Sequence, residues 1–79
     1  MTVQFIPWQA DADVCGFAAG LAAGNRVLDL VHSNAINGTF IWEVIDGCEV
    51  VAFDIAWSAA DARRAAEDAG RRALFSIAA

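Results

Sequence analysis

A chain of 79 residues with a net charge of −5, ten acids against five arginines and no lysine, has room for one domain and little else. The acidic surplus argues against a nucleic-acid binder, whose affinity comes mostly from cations neutralising phosphates, and against docking on an anionic membrane. A domain this small buries only about 60% of the surface its unfolded chain exposes; a hydrophobic content of 58%, with three Trp and five Phe, offsets this.

Taken from the N-terminus, MTVQFIPWQADAD lacks a basic segment ahead of an apolar one, so no secretory signal is expected and the expected location is cytoplasmic. In that setting Cys15 and Cys48 are expected to be free, buried thiols. Thr2–Trp8 reads as a short strand ending at Pro7. Asp11 and Asp13 suit the first turn of a helix, where the macrodipole favours anions. Val14, Phe17 and Leu21 then form an apolar stripe, and Gly24-Asn25 supplies a C-cap, so a first helix is expected over this stretch. Its uncharged run, Val14 to Asn25, covers 12 residues, short of the roughly 20 that a membrane span needs. Arg26–His32 reads as a strand and Ser33–Gly38 as a loop.

The second half carries the clearest signals. Asp46-Gly47 is a strong hairpin signal between two runs of β-branched and aromatic residues, Thr39–Ile45 and Cys48–Trp57. A two-residue loop at Asp46-Gly47 pairs Ile45 with Cys48, Val44 with Glu49, Trp42 with Val51 and Phe40 with Phe53. One face then carries Phe40, Trp42, Val44, Val51, Phe53, Ile55 and Trp57 as core. The other mixes Ile41, Ile45 and Val50 with Glu43 and Asp54, too apolar for bare solvent and too charged for a core. Ser58 is a helix N-cap with Asp61 three residues on. Ala62, Ala66, Ala69, Ala73 and Ile77 recur at helical spacing, backed by Arg63-Arg64, Glu67-Asp68 and Arg71-Arg72 as i,i+4 ion pairs. The expected fold is α+β in the order β-α-β-β-β-α, a single domain over 1–79, with an antiparallel sheet whose central hairpin (39–57) packs against a C-terminal helix (58–77).

No motif points to catalysis. His32 is the only histidine. Together with Cys15 and Asp29 it makes a nominal Cys-His-Asp set, but Cys15 has no anion hole or local signature near it. One His and two distant Cys give no metal-ligand spacing, so neither a metal nor a cofactor is expected. Gly16, Gly20 and Gly24 recur every four residues, which fits a helix lying tight on its own sheet, or a dimer seam as the alternative. Charge is uneven. Through Trp57 seven acids meet Arg26 alone, a net of −6, whereas from Ser58 onward three acids meet four arginines, a net of +1.

From about residue 10 the expected order α-β-β-β-α resembles a double-stranded RNA-binding domain, and the run FIWEVIDGCEVVAFDIAWSAADARRAAEDAGRRAL resembles that family's hairpin and Ala-rich helix. That resemblance implies phosphate contacts from Arg63, Arg64, Arg71 and Arg72. Where that family has a lysine-rich helix start, this chain has Ser58-Ala59-Ala60-Asp61-Ala62-Arg63-Arg64, with no lysine. In size, acidity and lack of enzyme motifs the chain is also similar to the small inhibitors of phages and mobile elements, notably anti-CRISPR proteins. That similarity implies occupation of a site on a host or defence complex without catalysis. The expectation is therefore a non-enzymatic protein-binding module meeting a basic protein surface through Glu43, Asp46, Glu49 and Asp54, with Ile41, Ile45 and Val50 as apolar anchors. Nucleic-acid binding is the alternative.

Overall fold

The computed structural model describes residues 2–75. Five strands, β1 (Gln4–Asp11), β2 (Gly16–Ala23), β3 (Arg26–Asn34), β4 (Phe40–Asp46) and β5 (Glu49–Ala56), form one antiparallel sheet in sequential order, and α1 (Ala59–Phe75) follows. The class is α+β, with the β4–β5 hairpin packed against the C-terminal helix as expected. Residues 76 and 77 of the expected helix lie outside the described residues.

The expected first helix is instead strand β2. Its sequence GFAAGLAA fits either period. Two features of its surroundings favour the strand. Gly24, with φ at 60°, and Asn25 form the two-residue loop of a hairpin that pairs Ala23 with Arg26, so the glycine turns the chain back and does not cap a helix. Ladders on both sides, to β1 and to β3, then satisfy the backbone. Two internal glycines would each cost a helix about 1 kcal/mol. In the strand Gly20 leaves room for Ile6, whose Cδ1 lies 2.9 Å from where a Cβ would stand. Gly16 and Gly20 thus serve contacts within the sheet. Asp11 and Asp13 do begin a helical turn, a short 3-10 stretch at Ala12–Val14 capped by the Asp11 carboxylate.

The β4–β5 register also differs from expectation. The loop residues are Gly47 and Cys48, so Asp46 pairs with Glu49 and Ile45 with Val50. An extra residue, Val51, then bulges from β5, and beyond it Val44 pairs with Ala52, Glu43 with Phe53, Trp42 with Asp54 and Ile41 with Ile55. Moving the loop by one residue on each strand preserves which residues share a face. The single inserted residue reverses it. Val51, Phe53, Ile55 and Trp57, expected in the core, are therefore exposed, and Asp54 moves to the Trp42 face.

The helix-covered face explains this arrangement. Only Trp57 and Ser58 separate β5 from α1, so the helix starts directly over the end of β5. Small residues suit that close approach: Ala56 from β5 and Ala62, Ala66 and Ala69 of α1 belong to one buried cluster, with Ala52 against it. Leu21, Leu28, Leu30 and Val44, all fully buried, fill the centre. Gly70 lets the helix sit on the leucines, since a Cβ there would stand 2.8 Å from Leu21 Cδ1 and 2.9 Å from Leu30 Cδ2. Ser58 Oγ accepts from the Asp61 N–H at 3.0 Å, the expected N-cap. At the other end Arg26 donates to the carbonyls of Ala73 and Leu74, and to the Asp46 carboxylate at 3.2 Å. One guanidinium thus ties the β2–β3 turn, the helix C-terminus and the tip of the last hairpin together.

The two registers predict different mutant stabilities. Trp42→Ala removes a ring that is 8% exposed and should cost about 3–5 kcal/mol. Phe53→Ala removes one that is 69% exposed and should stay within about 0.5 kcal/mol of the parent. Urea denaturation of both variants checks this; equal losses would restore the unbulged register.

Candidate functional site

The sheet face away from α1 is bare. It presents Gln4, Ile6, Gln9 and Asp11 from β1, then Gly16, Ala18, Gly20 and Ala22 from β2. Val27, Asp29, Val31 and Ser33 follow from β3, Ile41, Glu43 and Ile45 from β4, and Phe53 and Ile55 from β5. The β4–β5 half is apolar. Phe53 is 69% exposed and Trp57 82%, with Ile55, Val50 and Val51 also exposed. At one end Trp57 and Ile55, with Ile41, Ser33 and the Asn34–Ile36 segment, line an open groove of about 620 Å³ that contains no charged side chain. Soluble monomers seldom leave so contiguous an apolar patch in water unless it meets something.

The other half of the face is acidic and shallow. Its floor is the run of Gly and Ala from β2, and a cleft of about 220 Å³ lies there between Asp11 and Asp29. Glu43, opposite Val31, sits between the halves. All five arginines are on the far side, four on α1 and Arg26 at its C-terminus. The molecule is therefore polar in charge: among the described residues its bare face carries acids and no cationic side chain.

Of the residues expected to bind a partner, Ile41, Ile45, Glu43 and Val50 gather on this face. Asp46, Glu49 and Asp54 stand on the rim of the opposite one. Asp46 is engaged by Arg26, and Asp54 Oδ1 accepts from the Ile55 backbone N–H at 2.7 Å. The residues missed were Phe53, Ile55 and Trp57, assigned to the core because a bulge leaves no mark on an alternating sequence.

Both sheet edges are protected against strand addition. On β5 the Val51 bulge interrupts the ladder and the Asp54 carboxylate occupies the Ile55 N–H. On β1 a second bulge at Pro7 and Trp8 does the same, and Pro7 has no N–H to offer.

A polar cluster lies under α1, at the end where the helix starts. His32 is 2% exposed. Its ring stacks on Phe17 at 5.2 Å and packs against Trp8 and Phe40. Arg63 Nε donates to His32 Nε2 at 3.0 Å, and its guanidinium lies 4.9 Å from the Phe17 ring centre and 5.6 Å from that of Trp8. Trp8 Nε1 donates to Glu67 at 2.9 Å. The cluster locks β1 and β3 to the helix. It takes Arg63 out of the expected surface ion pairs, of which Arg71–Glu67 (3.8 Å) forms at the i,i+4 spacing, while Arg64 pairs with Asp61 at i,i+3 (3.7 Å). Both are solvent-facing and contribute little. Because Nε2 accepts, the neutral ring carries its proton on Nδ1, which is buried and has no partner among the described residues. Asp29 points to the opposite face from His32, so no Cys-His-Asp set forms. Cys15 and Cys48 are free, as expected, but both lie in turns and are exposed, not buried. Among the described residues no three His, Cys, Asp or Glu side chains gather as a metal site, and no helix is long and apolar enough to cross a membrane.

Compared with known proteins, the chain matches no family model, no curated protein and no solved structure.

Burial, reinforced by the Arg63 charge, holds the His32 pKa below its ordinary 6.5. The unfolded chain therefore takes up a proton near pH 6.5 that the folded one resists. Stability is complete above that pH and falls as the pH drops through 6.5 toward the lowered folded value. His32→Gln, which keeps an acceptor for Arg63 without titrating, should flatten this part of the curve. Thermal melts of both proteins from pH 7.5 to 5 check it; parallel curves would contradict the assignment.

Proposed function

We propose that this chain is a non-enzymatic protein-binding module that acts by occupying a partner through the bare face of its sheet. The observation that carries this reading is the exposed apolar half of that face, with Phe53, Ile55 and Trp57 in water beside Ile41 and Ile45. Large rings on a rigid sheet are the usual anchors of protein interfaces, because little side-chain entropy is lost on contact. The acids Asp11, Asp29 and Glu43 on the same face select a partner with a basic rim and speed its approach at low salt. Inhibition of a host or defence complex by occupancy, as in the small phage inhibitors the sequence is similar to, is the form of activity this architecture suits.

The nucleic-acid alternative has less support. The double-stranded RNA-binding order begins with a helix where this chain has β2. Of the arginines that resemblance would use, Arg63 is held by His32 under the start of α1.

Phe53→Ser and Trp57→Ser should leave the melting temperature within a few degrees of the parent. Each should weaken binding at least tenfold to any partner captured from host lysate and then purified. Hydrogen exchange on the purified complex should slow in β4 and β5. A partner that binds both variants as tightly as the parent, or that protects only α1, would refute the face as the binding site.

A further inference from the structure

Resting on the open-face reading, we infer that the partner element this face receives is a basic amphipathic α-helix. The face is divided lengthwise. Phe53, Ile55 and Ile41 make a raised apolar strip on β4 and β5, and beyond β3 the small Ala18 and Ala22 of β2 make a lower floor, with Ile6 of β1 lying over Gly20. Asp29 stands on the floor side, diagonal to Glu43 across the β3–β4 pair. An α-helix is a rod about 10 Å across with an apolar stripe along one side and room for cations on its flank. Laid along the step, its stripe meets the aromatic strip while its flanking Lys or Arg reach Asp29 and Glu43. The low floor permits the close approach that Ala and Gly already permit on the other side, where α1 covers the same sheet.

Other occupants fit less well. An added strand meets two protected edges. A second copy of this chain would bring Asp29 and Glu43 against their own kind, because every arginine lies on the far side. Nucleic acid meets a face with acids and no cation.

The probe is a synthetic 18-residue helical peptide of Leu and Lys in amphipathic order, titrated into the full chain and followed by amide chemical shifts. Binding should move resonances of β3, β4 and β5 on the open face and should weaken as salt is raised. Asp29→Asn with Glu43→Gln should weaken it at least tenfold. The charge-matched control, Glu49→Gln with Asp68→Asn, should change it less than twofold. Trp57→Ser should weaken it without altering the fold. Equal losses in the two charge-matched pairs, shifts centred on α1, or equal binding of a Leu/Glu peptide of the same pattern would overturn the inference. So would self-association of the chain that competes with the peptide. A natural partner that protects β4 and β5 through a strand or loop would overturn the helix while leaving the open-face reading intact.

Discussion

Val51, inserted opposite no residue of β4, decides which side of β5 faces the helix. Without it Phe53, Ile55 and Trp57 would lie under α1. With it, Ala52 and Ala56 lie there, and the three large side chains are turned to solvent. The short connection from β5 to α1 requires small residues at that contact, and the helix answers with Ala62, Ala66 and Ala69. Close helix–sheet packing and an exposed aromatic strip are two consequences of one inserted residue. A chain this short gives up apolar burial to expose the strip. Sequestering Phe53 alone is worth about 1.5–3 kcal/mol, a large fraction of the stability of a small domain.

The remaining structure compensates for that thin core at its two ends. Arg26 joins the carbonyl end of α1 to the β2–β3 turn and the last hairpin. At the other end Arg63, His32, Trp8, Phe17 and Glu67 bind the start of the helix to the strands furthest from it in sequence. Placing these cations beneath or beside α1 leaves the open face with acids alone. Charge asymmetry and helix anchoring are thus the same arrangement seen from two sides, and it is the asymmetry on which the proposed preference for a basic partner rests.

The second half of the fold was legible because its signals were local: a turn signal at Asp46-Gly47, one residue ahead of the Gly47-Cys48 loop that forms, β-branched runs beside it, Ser58 as a cap, alanines at helical spacing. The first half was not. GFAAGLAA carries no strong propensity, and its state is set by partners on both sides, which no local pattern reveals. For the candidate site, Ile41, Glu43, Ile45 and Val50 were readable from alternation along β4 and next to the loop. Phe53, Ile55 and Trp57 were hidden because alternation continues unbroken through Val51, and only pairing against β4 shows that the phase has changed. His32 and Arg63, 31 residues apart, gave no sign of meeting.

The phase of β5 is the claim on which the open face stands, and nuclear Overhauser contacts measure it directly. The structure predicts contacts from the Ala56 methyl to those of Ala62 and Ala66 on α1, and none from the Phe53 ring to the helix. Contacts between the Phe53 or Ile55 side chain and α1 would contradict it, because they would place the aromatic strip back in the core.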